Sequence, residues 1–217
     1  MSERVIIKLG GSLISPYDSS LDSVKAGIPP YDFEYARKIL QIIKDSSKSY
    51  VVIIGGGFIN RWYLSRLREE LGDAVELARN DFHHVGIASG IINCSIFHAL
   101  AIQILGETAV YPEVVKYDQY NSLKEQKERM AKTRLVIASG RKPGHSHDVD
   151  AIYFASLFGT NQVLSFKNID GIYSADPRKD PTAVKKKILT WQEYRAIIHS
   201  KVHEPGASFP IDAVAAQ

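Results

Sequence analysis

Cysteine is almost missing. The 217 residues hold one, Cys94, so no disulfide can form within the chain and its stability must come from packing. One thiol suits a reducing compartment, and the expected location is cytoplasmic. Charge of one sign is also scarce: 27 Lys and Arg against 24 Asp and Glu leave a net +3. That excess is too small for a nucleic-acid surface, and no nucleic-acid partner is expected. There is no internal repeat and no low-complexity tract. Met1-Ser2-Glu3-Arg4 leads straight into a strand-like run without a signal-peptide layout. The one long uncharged stretch runs from Val85 to Ile102, close to the length of a bilayer span. It contains Gly86, Ser89, Gly90, Asn93, Ser95 and His98. The expected structure is therefore a buried helix, apolar all round, and no membrane partner is expected. Two familiar nucleotide signatures are missing as well: neither GxxxxGK[ST] nor GxGxxG occurs.

What is present is ordinary globular composition, 45% hydrophobic and 24% charged, arranged as alternating strands and helices. Val5–Leu9 and Tyr50–Ile54 read as buried strands, and Arg134–Ala138 and Gln162–Phe166 as a third and fourth strand. Phe33–Ser47, Ile59–Leu71, Val85–Leu105, Leu123–Lys132, Val149–Phe158 and Thr190–His199 read as helices. The first of these turns Tyr35, Ile39, Ile42 and Ile43 toward one face, and the last opens on a Thr190–Glu193 capping box. The expected fold class is α/β, with a mostly parallel sheet covered on both faces.

Four glycine sites follow one another: Lys8-Leu9-Gly10-Gly11-Ser12; Gly55-Gly56-Gly57 with Arg61; Gly140 to Gly144 with His145 and Asp148; and Asp170-Gly171 with Asp176-Pro177. The first three sit where a strand gives way to a helix. Backbone without Cβ atoms can approach an anion closely, and a helix start offers free N–H groups. Several such turns in one chain point to an enzyme holding more than one phosphate, as phosphoryl transfer requires. Lys8 would place a positive charge over transferring oxygens. Arg61, about one turn into its helix, would fork onto an anion held there. Asp148 suits helix capping, orienting a lysine or holding a metal equally well. His145 and His147 read as solvated or anion-facing rather than as metal ligands, and no protein metal site is expected.

These residues resemble the amino-acid kinase superfamily, and within it the archaeal and bacterial uridylate kinases. The matching stretches are Ile7–Ser12; Ile54–Gly57 with Arg61; Gly86-Ile87 with Asn93; Pro143–Asp148; Asn168–Pro177; and Pro205–Ser208. The resemblance implies a three-layer αβα sandwich in a single domain over 1–217. Its N-terminal half, about 1–135, would hold the acceptor, and its C-terminal half, about 136–217, would hold ATP. It implies ATP and Mg2+, a small phosphorylated acceptor with UMP first, and a homo-oligomer, commonly a hexamer. Lys8 and Asp148 would be catalytic. Lys8, Gly10, Gly11, Ser12, Asn168, Asp170, Tyr173, Asp176 and Pro177 would hold the nucleotide donor. Gly56, Gly57, Arg61, His83, Gly144 and His145 would hold the acceptor.

Three departures stand against this pattern. Such kinases usually carry an aspartate where His83 stands, and an imidazole cannot accept two ribose hydroxyls as a carboxylate can. A common Thr-Arg pair is Gly90-Ile91 here, and the usual Thr-Thr-Asp is Ser146-His147-Asp148. The chain also stops at Gln217, where relatives continue, which fits a fragment or an end covered by another subunit. Two rival readings follow: a kinase of another phosphate or a carboxylate, such as isopentenyl phosphate, and a non-catalytic ATP-binding protein like the molybdenum storage proteins.

Overall fold

A computed structural model describes residues 4–16, 31–72, 79–175, 180–198, 211–212 and 214–216. Four strands form its central sheet: β1 (Arg4–Leu9), β2 (Ser49–Ile54), β3 (Leu135–Ala138) and β4 (Val163–Phe166). They lie in the order β3-β2-β1-β4, all parallel. Seven helices accompany them among the described residues: α1 (Gly11–Ile14), α2 (Phe33–Asp45), α3 (Gly57–Leu71), α4 (Arg79–Leu105), α5 (Leu123–Ala131), α6 (His147–Phe158) and α7 (Trp191–Ile197). A small antiparallel hairpin pairs β5 (Ile172–Tyr173) with β6 (Lys185–Lys186).

The two-residue period of the strands sorts their side chains onto two cores. Ile7, Leu9, Val52, Ile54, Leu135 and Ile137 pack with Leu40 and Ile43 of α2 and with Cys94, Phe97 and Ala101 of α4. Ile6, Val51, Ile53, Val136 and Ala138 pack on the opposite face with Leu123 and Met130 of α5 and Ala151 and Phe154 of α6. Each fully buried Ile or Leu contributes about 1.5–3 kcal/mol, so both helical layers are firmly held. The expected three-layer αβα sandwich is the fold.

Two expectations need correction. α4 is not buried all round: Ile92 and Ile102 are 46% and 36% exposed on its outer side, and 39% of its apolar window is buried. The helix is long and apolar enough to meet the length test for a bilayer span, yet Cys94, Phe97 and Ala101 lie in the core against the sheet. An absence of charge reports hydrophobicity and does not say how many neighbours cover it. In α2, Ile42 faces solvent, while Ala36, Leu40 and Ile43 point inward. The Thr190–Glu193 capping box is present as read; His199 lies outside the described residues.

Candidate active site

The sheet brings the first two glycine sites into backbone contact. The Gly10 N–H donates to Phe166 O at 2.8 Å, tying the end of β1 to the end of β4, while Gly55 N–H donates to Leu9 O at 3.3 Å. Gly11 lies so close to the second turn that a Cβ on it would stand 2.5 Å from the carbonyl carbon of Gly55. Gly57 starts α3 at φ +57, a left-handed conformation that glycine adopts without strain. The next N–H, of Phe58, donates to Ser15 O at 2.8 Å. The buried Asn93 amide donates from Nδ2 to Gly55 O at 2.8 Å. Gly56 is packed beneath Asn60 and Ser89. Ser12 is half-buried on α1. Arg61 is exposed on the first turn of α3, and His83 is half-buried near the start of α4. Arg61 sits on the helix that leaves the second turn, and His83 on the helix whose Ser89 packs against Gly56.

Lys8 and Asp148 meet. Ser146, rather than Asp148, caps α6 and accepts the Asp148 N–H at 3.2 Å, which corrects the capping alternative. The Asp148 side chain is thereby left to turn toward the sheet. Its Oδ1 lies 3.6 Å from Lys8 Nζ, and its Oδ2 accepts from Lys167 Nζ at 2.9 Å and from Asp212 N–H at 3.1 Å. One buried carboxylate thus holds two ammonium groups, from the ends of β1 and β4. Burial, opposed by Asp148 and reinforced by the neighbouring Lys167, brings the Lys8 ammonium down to about 8.

Lys167 was not singled out from the sequence. The available signal was a lysine ending an apolar strand, the same signal that picked out Lys8. Asp212 was missed too; its backbone N–H reaches Asp148 across 64 residues. Among the described residues no three His, Cys, Asp or Glu side chains converge as a metal site.

The third glycine site is braced from within α6. Asp150 is fully buried and accepts the Arg141 N–H through Oδ2 at 3.3 Å, and its Oδ1 lies 3.7 Å from Arg141 Nε. Burial outweighs these partners and pushes the Asp150 carboxyl up to about 8. Arg141 reaches His145 Nδ1 at 2.8 Å. Gly144 and His145 are half-buried in the same loop. His147 fills the space above Gly55, Gly90 and Gly140, where added Cβ atoms would meet its ring at 3.9, 3.5 and 3.6 Å.

The fourth site stands on the surface. Asp170 Oδ2 accepts from Tyr173 OH at 2.9 Å and Lys185 Nζ at 3.1 Å, and these two hydrogen bonds lower the Asp170 pKa, Lys185 first. Asn168 is exposed beside Lys167. Asp176 and Pro177, like the Pro205–Ser208 stretch, lie outside the described residues.

Glycine turns pressed together beside a carboxylate that holds two lysines make a site for handling phosphoryl groups. Residues 3–215 match the amino acid kinase family, and the chain belongs to that family; it is a phosphotransferase. Its relatives narrow the type to uridylate-kinase-like. It is 28% identical over 214 residues to a uridylate kinase of Thermococcus kodakarensis, covering 99% of this chain and 84% of that one. It is 30% identical to a uridylate kinase of Methanocorpusculum labreanum, covering 99% and 80%. The crystal structure of uridylate kinase from Archaeoglobus fulgidus superposes with a TM-score of 0.65 at 27% identity, over 100% of this chain and 84% of that one.

Proposed function

We propose that this protein transfers the γ-phosphoryl group of ATP to UMP. The observation that carries the reading is Asp148 holding Lys8 and Lys167 where β1 and β4 end, next to the paired Gly11 and Gly55 turns. Phosphoryl transfer asks little covalent chemistry of a protein; alignment and charge neutralisation do most of the work. Lys8 and Lys167 supply two positive charges for the transferring group and its donor. Asp148 keeps those charges together without taking part in bond making. The N–H groups at the start of α3 receive the acceptor phosphate, with Arg61 beside them. Asn168, Asp170 and Tyr173 border the nucleotide on the β4 side, and Asp176 and Pro177, outside the described residues, are assigned to the donor by the resemblance alone. This division gives an acceptor half and an ATP half within one domain.

Magnesium suits this site as a passenger on the phosphates, since Asp148 is already engaged by two lysines and a backbone N–H. When bound, it would supply further neutralisation of phosphate charge. A homo-oligomer in the cytoplasm is the assembly and location we propose, with the exposed Ile92 and Ile102 side of α4 as a contact face.

The test is turnover with ATP and magnesium across nucleoside monophosphates, isopentenyl phosphate and small carboxylates. UMP is expected to turn over fastest. His83 in place of a carboxylate favours a different acceptor as the second outcome, and no turnover with any of them would remove the kinase reading. A pH profile adds a check on Lys8. Its ammonium form is the useful one, and that form is lost as pH rises through about 8. For the free enzyme, kcat/KM is therefore expected to hold below that pH and to fall about tenfold per unit above it. A profile flat from pH 7 to 10 would show that the Lys8 charge is not used.

A further inference from the structure

Arg141 occupies an unusual place for a loop arginine. Its side chain is mostly covered, and among the described residues its contacts run to the loop's own scaffold. Asp150 and Tyr153, one turn apart on α6, hold the guanidinium from beneath: Oδ1 of Asp150 lies 3.7 Å from Nε, and the Tyr153 ring centre lies 5.2 Å from Cζ. Asp150 is fully buried and also accepts the Arg141 backbone N–H. A carboxyl group at such depth is costly unless it fixes something specific. What it fixes is the far end of the same loop, because Arg141 Nη2 lies 2.8 Å from His145 Nδ1. A guanidinium has donors and no acceptor, so Nδ1 must accept. The imidazole proton then sits on Nε2.

By sheet position the loop falls on the acceptor side, although residues 140–146 lie past 135 in the half expected to hold ATP. β3, which leads into it, neighbours β2 and stands three places from β4, or about 14 Å at ordinary strand spacing. Two residues past His145, the His147 ring packs over Gly55 of the second glycine turn.

We propose that Arg141 is a positioning residue for the acceptor: anchored by Asp150 and Tyr153, it braces the 140–146 loop and holds His145 as the Nε2–H tautomer. The inference rests on the kinase reading of the same site, and it concerns residues on which that reading does not depend. The braced loop sets how tightly the acceptor phosphate is held, and the donor nucleotide on the β4 side does not sense it.

Two measurements on the full chain test this. The first is the 15N–1H correlation of the histidine rings, with His145 assigned by its loss in His145→Gln. The expected pattern is a bare Nδ1 and a protonated Nε2, changing to a tautomer mixture in Arg141→Met. A protonated Nδ1 in the unmodified protein would overturn the proposal whether or not any variant folds. The second is steady-state kinetics. Arg141→Met is expected to raise the acceptor KM at least tenfold and to leave the ATP KM within twofold. Arg141→Lys, which keeps a donor cation, is expected to restore the acceptor KM to within threefold. Equal loss in both variants, or a matching rise in the ATP KM, would reduce Arg141 to a structural residue. No turnover by the unmodified protein would instead sink the kinase reading and leave the ring spectra to decide the tautomer.

Discussion

Asp148→Asn is expected to lower kcat about a thousandfold, or about 4 kcal/mol of transition-state stabilisation, while changing the KM for ATP far less. The reasoning starts from the two ammonium groups. Lys8 and Lys167 share one carboxylate, at 3.6 and 2.9 Å. With the negative charge gone, burial and mutual repulsion act on Lys8 unopposed, and its pKa falls below its present value of about 8. At neutral pH the lysine then spends much of its time uncharged and cannot stabilise charge on a migrating phosphoryl group. ATP carries its own negative charge and can take the place of the missing carboxylate in the ground state, so binding survives. The check is a full kcat and KM determination, with a thermal melt taken with and without ATP. A variant with kcat within tenfold of the parent would show that Asp148 is a structural ion pair only.

Gly11→Ala is expected to cost both stability and activity. The added methyl would meet the backbone of Gly55 and Gly57, and backbone cannot rotate away as a side chain can. The first and second turns would have to part. Overpacking of this kind costs about 1–3 kcal/mol, and more where backbone must move. Parting the turns would also separate the two proposed phosphate cradles, so kcat/KM is expected to fall by at least a hundredfold in whatever fraction remains folded. Gly86→Ala is the matched control. Gly86 lies inside α4, and a Cβ there meets the Asn60 side-chain amide at ordinary distances of 3.5 Å and beyond. The same chemical change should then stabilise by up to about 1 kcal/mol through helix propensity. Denaturation midpoints for the two variants give the comparison. Equal effects of one sign would contradict the close approach of the two turns.

Much of this architecture was legible in the chain. Runs such as Val5-Ile6-Ile7 and Tyr50-Val51-Val52-Ile53-Ile54 are β-branched and uncharged, as strands buried on both faces must be. Glycines at their ends marked the turns, and Lys8 stood out because it interrupts such a run. The misreadings have physical causes. Asp148 and Ser146 both suit an N-cap, and spacing cannot say which accepts the helix N–H; with Ser146 in that role, Asp148 is left for the lysines. Lys167 stood next to a recognised stretch, yet its partner lies 19 residues back on another element, beyond any local pattern. Asp150 was not singled out, because burial of a carboxyl group has no sequence signature. α4 read as enclosed because hydrophobicity was taken for coverage.

The position of β1 carries one more consequence. Among the described residues it is the first strand and an inner one in the sheet, pairing Ile6 with both Val51 and Val163. The contact order is therefore high, and a nascent chain has to emerge beyond Phe166 before its first strand gains its second neighbour. Until then one side of β1 offers an open ladder to any passing strand. During synthesis, the segment that carries Lys8 is thus also the one most in need of chaperone cover.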